Sequence, residues 1–259
     1  MININLKNKI VIVTGGAQGI GEAMVRDFAE SESRVIIADI LEEKGKALAE
    51  ELQNKGYTVF FKKTDVSNAE DIQALVDFAV GTYGRINILV NNAAVNIPGS
   101  ILELSEEDWD KTMNINVKSQ YLVSKHVVPH MPTTGGSAIV NMASANSDVA
   151  EPRLAAYVTS KGAIKMFTKS LAIDVARLNI RVNCICPGFV DTTFNDAHAD
   201  LCAGGRDNVL KDIDKIHLTG RTIQPNEVSK MAIFLASDLA SSITGSAVMV
   251  DGGITAGAW

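Results

Sequence analysis

The chain alternates strand-like apolar runs with helix-period segments from one end to the other, and nothing else in it constrains the fold as strongly. The runs are "KIVIVTG", "RVIIAD", "TVFFKKTDV", "INILVNNA", "SAIVNMAS", "IRVNCICPG" and "SAVMVDGG"; between them stand segments such as "LEEKGKALAEELQNKG" and "DIQALVDFAVGTYG". A helix between consecutive strands is a crossover connection, and crossovers give parallel strands with helices packed on the sheet. Several runs are continuously apolar, which is what a strand buried on both faces requires. The expectation is an α/β protein with a doubly wound parallel sheet and helices on both faces. No Pro/Ser-rich linker, low-complexity tract or repeat breaks the rhythm, so residues 1–259 read as a single domain. One irregular segment, from about Asp191 to Gly220, reads as a substrate lid.

Charge and composition narrow the partners. With 24 basic against 30 acidic side chains, a net charge of −6 and no long run of one sign, the surface does not suit nucleic acid or anionic membranes. The apolar runs are strand-sized, far short of a membrane span, and "MININLKNK" lacks a signal peptide's apolar region. A cytoplasmic location is expected. Cys184, Cys186 and Cys202 are an odd number without C-x-x-C spacing, so they read as reduced thiols. His126 and His130 stand four apart, but no acidic ligand pattern surrounds them and no metal site is predicted.

The first run leads into "TGGAQGIG", residues 14 to 21, and then into a helix starting near Ile20. Glycines there allow a tight turn and a close approach to a pyrophosphate, while the helix N-terminus offers free N–H groups to the anion. Gly15, Gly19 and Gly21 give G-x-x-x-G-x-G rather than G-x-G-x-x-G, and no P-loop lysine follows. Asp39 closes the second run, where a carboxylate can accept hydrogen bonds from both adenosine ribose hydroxyls and repel a 2′-phosphate. Ile40 and Leu41 are apolar and Gln18 is neutral, leaving no cation evident nearby for that phosphate. NAD is therefore expected rather than NADP.

"AAYVTSKGAIK", residues 155 to 165, sets Tyr157 and Lys161 four apart on one helix face, a turn from each other. With "TGGAQGIG", "NNAA" at 91 to 94, Ser144, "YVTSK" at 157 to 161 and "PG" at 187 to 188, the chain resembles the short-chain dehydrogenase/reductase family, from Leu6 to Gly253. The resemblance implies a Rossmann-type oxidoreductase in which Tyr157 is the general acid/base at the substrate oxygen. Lys161 would lower the phenol's pKa below that of free tyrosine and bind the nicotinamide ribose. Ser144, thirteen residues before Tyr157 and at the end of "SAIVNMAS", would donate to the substrate carbonyl. Asn116 in "NINVKS" matches the family's helix-interrupting Asn, which holds a water in a proton relay to the Lys.

The same resemblance assigns the cofactor contacts. Gly15, Gln18, Gly19, Ile20 and Gly21 would form the phosphate turn, and Asp39 and Ile40 the ribose end. Asp65 and Val66 match the adenine contacts, Asn92 and Ala93 the turn passing the ribose, and Val190 and Thr192 the carboxamide segment after Pro187 and Gly188. The departure is Ala94, where the family has Gly.

The function expected is NAD-dependent interconversion of a secondary alcohol and a ketone. Asn96, Ile97, "ANSDVAEPR" and the lid would form the pocket, and their Asn, Asp and Glu content favours sugars or polyols. The alternatives are a reductase of 3-oxoacyl-[acyl-carrier-protein] using NADPH and a non-catalytic dinucleotide sensor. An extended-fold epimerase or dehydratase would need a larger C-terminal substrate domain. Ile254 and Trp259 in the apolar C-terminal stretch, together with the resemblance, predict a homotetramer.

Overall fold

Seven strands form one parallel sheet in the order β3-β2-β1-β4-β5-β6-β7 in the computed structural model, which describes residues 4–200 and 205–257. They are β1 Ile10–Thr14, β2 Arg34–Asp39, β3 Thr58–Lys63, β4 Ile88–Asn91, β5 Ser137–Met142, β6 Ile180–Pro187 and β7 Ala247–Val250. The helices are α1 Gly19–Glu30, α2 Glu42–Asn54, α3 Ala69–Tyr83, α4 Glu106–Met113, α5 Ser119–Val127, α6 Ala155–Val175, α7 Asp196–Ala199, α8 Gly205–Ile216 and α9 Pro225–Ala236. This is the doubly wound, Rossmann-type single domain that the alternation predicts.

Strand periodicity splits the core in two. Along β1, Ile10 and Ile12 join one cluster, with Ile72 and Leu75 of α3 and Val123 of α5. Val11 and Val13 join the other, with Met24 and Phe28 of α1 and Val228 and Ala232 of α9. Alternate residues pointing to opposite faces make both faces apolar, so β1, β4 and β5 are buried along their whole length. The edge strand β3 departs from this, with Thr58 and Phe60 exposed, because only β2 flanks it.

Local chemistry sets the ends of the elements. Asn68 caps α3 by accepting from the Glu70 N–H at 2.8 Å, and Gly84 ends it with φ +72°, a left-handed conformation that a side chain would strain. Between α4 and α5 the helix widens into a π-turn over Asn114–Lys118.

The order reverses between β1 and β4, so their C-terminal ends open a crevice between connections that leave in opposite directions, the usual ligand position in such sheets. The segment from Asp191 to Gly220, expected to be irregular, is largely helical: a 3₁₀ turn at Thr193–Asn195 precedes α7, and α8 follows. Arg206 ties the segment together through Thr192 O at 3.0 Å, Asp191 at 2.7 Å, and Asp196. Residues 201–204, including Cys202, and the C-terminal Trp259 lie outside the described residues.

Candidate active site

At the phosphate end, Gly15 and Gly19 adopt φ +62° and +59°. A Cβ at Gly21 would come within 1.9 Å of the Gly15 carbonyl oxygen, so the turn closes only around glycine. Thr14, which sequence reasoning passed over, clamps the turn to β4: its hydroxyl donates to Val90 O at 3.3 Å and accepts from the Asn92 and Ala93 N–H groups at 3.0 and 3.1 Å. The Asn92 amide donates to Thr14 O and Gly15 O at 3.1 and 2.9 Å. Asn92 thus acts on the glycine turn itself. Gly19, Ile20 and Gly21 open α1 with their N–H groups at its N-terminus, a cradle for a diphosphate.

Asp39 is buried at the end of β2, with Oδ2 accepting from Ala17 N and Oδ1 from Leu41 N, both at 2.9 Å. These two bonds fix the carboxylate in place. Ile40 beside it is 60% exposed. One expectation needs correcting here: a cation does stand at this end. Lys44, five residues after Asp39 on the first turns of α2, donates to Gln18 Oε1 at 2.8 Å. Neighbours in sequence concealed it because a helical turn, rather than adjacency, brings it back to the glycine turn. Val66 is buried and Asp65 exposed, with the Asp65 carboxylate accepting from Ser67.

At the reacting end, α6 carries Tyr157 and Lys161, 8% and 3% exposed, on its buried face. The Lys161 ammonium donates to Met142 O at 2.8 Å and lies 5.4 Å from the centre of the Tyr157 ring. Burial lowers its pKa to about 8. Burial also pushes the phenol up to about 12, with the Ser144 hydroxyl opposing the shift and the Glu151 charge adding to it. This runs against the expectation of a phenol held below free tyrosine: in the protein alone desolvation is the largest influence on it. Ser144 accepts from Asn146 N at 3.1 Å and donates to Asn146 Oδ1 at 3.3 Å. Phe194 of the 191–220 segment stacks at a tilt over Tyr157, ring centres 6.0 Å apart.

One cleft of about 390 Å³ joins the two ends. Every predicted catalytic and cofactor residue except Asn116 lines it, from Gly15, Gln18 and Asp39 to Ser144, Tyr157, Lys161, Pro187, Gly188, Val190 and Thr192; of the predicted pocket residues, Asn96 lines it and Ile97 does not. Asn116 is fully buried in the π-turn behind it. Its side chain accepts from Val95 N at 2.8 Å and donates to Val95 O at 2.9 Å and Ser160 Oγ at 3.0 Å. Both amide hydrogens are thereby committed. Asn146 and Glu151, inside the predicted pocket stretch, line the cleft beside Ser144; Phe194, Ile213 and Ile254 had no motif to reveal them. Away from the cleft, a ring nitrogen of His126 pairs with Gln73 at 2.9 Å, and Cys184 and Cys186 lie buried in β6.

A model of the family described as enoyl-(acyl carrier protein) reductase matches residues 15–255, nearly the whole chain. The chain belongs to the short-chain dehydrogenase/reductase family. Members of this family are oxidoreductases on a fold that binds a nicotinamide dinucleotide. Oxidoreductase UcpA of Salmonella typhimurium is 42% identical over 96% of this chain and 95% of its own. The 3-oxoacyl-[acyl-carrier-protein] reductase FabG of Chlamydia pneumoniae is 37% identical over 98% and 100%. Among solved structures, a gluconate 5-dehydrogenase from Burkholderia cenocepacia, in complex with NADP and tartrate, superposes with a TM-score of 0.90 at 32% identity, covering 98% of each chain. Among the described residues, no helix is long and apolar enough to cross a membrane.

Proposed function

We propose that this short-chain dehydrogenase/reductase uses NAD to interconvert a secondary alcohol and a ketone, its substrate being a small polar alcohol such as a sugar or polyol. The observation that carries the reading is the single cleft in which the glycine turn and Asp39 stand at one end and Ser144, Tyr157 and Lys161 at the other. The glycine cradle, where a Cβ has no room, and the buried carboxylate fit an adenine dinucleotide.

When bound, the dinucleotide supplies the hydride acceptor or donor. The chain's residues then handle the proton. The neutral Tyr157 phenol donates to the substrate oxygen in reduction and takes that proton back in oxidation. Ser144 Oγ hydrogen-bonds the same oxygen and holds the reacting carbon in place. Lys161, charged below about pH 8, would favour the phenolate when the proton leaves and would hydrogen-bond the nicotinamide ribose of a bound dinucleotide. Asn116 holds Val95 and Ser160 in place, and a relay water between it and Lys161 would have to donate to Asn116, whose amide hydrogens are committed. Phe194 stands against the phenol, and the helices Asp196–Ala199 and Gly205–Ile216 would serve as the lid that excludes bulk water. Gln18, Asp65, Val66, Ala93, Pro187, Gly188, Val190 and Thr192 complete the dinucleotide's wall, in a cytoplasmic homotetramer.

The NAD preference rests on Asp39, fixed by two backbone N–H groups and close to where a 2′-phosphate would sit. A second reading, an NADPH-dependent reductase resembling FabG, has Lys44 in its favour. Calorimetric titration of NAD against NADP, followed by turnover of the preferred form with a panel of alcohols and ketones, tests both. Tighter NADP binding would overturn the first reading.

A further inference from the structure

The cleft that holds Ser144 and Tyr157 is mostly apolar, and Asn96, Asn146 and Glu151 are among the polar side chains that line it. Asn146, 8% exposed, spends its amide hydrogens on Val149 O at 3.3 Å and on Glu151 Oε1 at 3.0 Å. The first of these pins the loop after Ser144, and the second orients the Glu151 carboxylate. Glu151 Oε2 has no hydrogen-bond partner among the described residues, and Asn96 Oδ1, on the same cleft, is buried without one. Glu151 is exposed at the mouth of the cleft, so water satisfies its free oxygen until a ligand hydroxyl replaces it, whereas the buried, unpaired Asn96 Oδ1 costs free energy that a ligand donor recovers.

The charges agree with the donors and acceptors. The one basic side chain lining the cleft among the described residues is Lys161, whose ammonium is engaged with Met142 O beneath the phenol. Among the described residues lining the cleft, no other cation is presented to an acid group on a substrate, whereas Glu151 sets a negative charge close enough to act on Tyr157. Carboxylates, phosphates and the carbonyls of thioesters accept hydrogen bonds and cannot donate them, so such groups would meet like charge or unmatched acceptors here.

Building on the oxidoreductase reading above, we propose that Glu151, positioned by Asn146, together with Asn96, recognises hydroxyl groups adjacent to the reacting carbon and selects neutral polyhydric substrates over their acids. Alditols and aldoses fit this wall; aldonic acids and 3-oxoacyl chains do not. Glu151 is the specificity-determining residue of the site, and the reacting oxygen remains the business of Ser144 and Tyr157.

The test compares neutral C4–C6 alditols and aldoses with the corresponding aldonic acids, using 2-butanol as a substrate with one hydroxyl. In the wild type, kcat/KM for the best neutral polyol should exceed that for any aldonic acid by at least about 10-fold, the scale of one charged contact. Glu151→Gln keeps size and removes charge, and should narrow that ratio about 10-fold, chiefly through KM. Equal or better turnover of an aldonic acid by the wild type, or an unchanged ratio in Glu151→Gln, overturns the proposal. Calorimetry on dinucleotide-loaded Tyr157→Phe reads binding apart from turnover: binding of a polyol but not its acid supports the proposal, and binding of neither overturns it. Absence of any turnover, 2-butanol included, alongside selective polyol binding would instead sink the alcohol-oxidation reading and leave this one standing.

Discussion

Lys161 holds its ammonium 5.4 Å from the centre of the Tyr157 ring and hydrogen-bonds the Met142 carbonyl rather than the phenol oxygen. Its contact with Tyr157 is thus over the face of the ring and not at the phenol oxygen. Tyr157→Phe preserves the ring, its contact with Phe194 and that cation–π geometry, and deletes only the O–H. Steady-state turnover should fall at least about 100-fold, the usual loss on removing a general acid/base, while dinucleotide binding by fluorescence stays near wild type. Near-normal turnover in the folded variant would assign the proton to another group.

Lys161 also stores a conflict between stability and function. Its pKa is lowered by burial from 10.5 to about 8, so below pH 8 the folded protein carries the whole cost of a buried charge. Between pH 8 and 10.5 the unfolded chain binds a proton that the folded chain does not, and stability rises with pH. Lys161→Met should abolish turnover yet raise unfolding free energy at pH 7 by up to about 3 kcal/mol, the gain fading towards pH 10.5. Urea denaturation without dinucleotide measures it. A variant less stable than wild type at pH 7 would mean that the hydrogen bond to Met142 outweighs desolvation.

Asp39 and Lys44 pull cofactor choice in opposite directions. We expect NAD to bind more tightly than NADP. Lys44→Ala should weaken NADP several-fold further and leave NAD nearly unchanged, because a 2′-phosphate is the one group that ammonium could pair with. Asp39→Ala with Ile40→Arg should shift the preference towards NADP. Competition titrations of the two dinucleotides decide it; equal losses for both in Lys44→Ala would reduce its role to holding Gln18.

Gly21→Ala places a methyl 1.9 Å from the Gly15 carbonyl oxygen. The turn must open to admit it, so dinucleotide affinity should drop by at least about 10-fold, with a stability loss on the order of 1–3 kcal/mol. Gly162→Ala is the control, since a Cβ there meets no atom within 4 Å. If both variants bind alike, the turn is softer than its contacts imply.

Of the two C-terminal residues behind the expected homotetramer, only Ile254 lies among the described residues. Ile254 is half-buried and lines the cleft, so it needs no partner to cover it. Met166 and Ile173 on α6 are instead 62% and 77% exposed, and all four residues of β7 are only half-buried. A homotetramer that covers such surfaces should appear in sedimentation velocity at micromolar protein. A monomer under those conditions refutes it, whereas Ile173→Glu in a true oligomer should lower its mass.

What could be read directly was whatever depends on short-range periodicity or on glycine. The seven apolar runs became the seven strands, and "TGGAQGIG" became the strand-to-helix turn, because each is fixed by local sterics and by burial on both faces. The failures share a different origin. Lys44 reaches Gln18 through a helical turn, Asn92 turns onto Gly15 through the pairing of β1 with β4, and the Tyr157 phenol shifts upwards because of burial that no spacing records. The helices of the 191–220 segment were legible but not read: "GRDNVLKDIDKI" spaces Val209, Leu210, Ile213 and Ile216 at helical intervals, and its high charge content masked that period.

The π-turn at Asn114–Lys118 makes this stretch intolerant of changes in length. It contains one residue more than a regular helix would need, and the extra residue sets the angular offset between α4 and α5. Deleting any single residue there would let the backbone heal into an uninterrupted α-helix, a locally favourable outcome. The repair would rotate everything on one side of it by about 100° relative to the other, carrying Asn116 off Val95 and Ser160 or α5 off the sheet. Homologues are therefore expected to differ here by substitution and not by insertion or deletion.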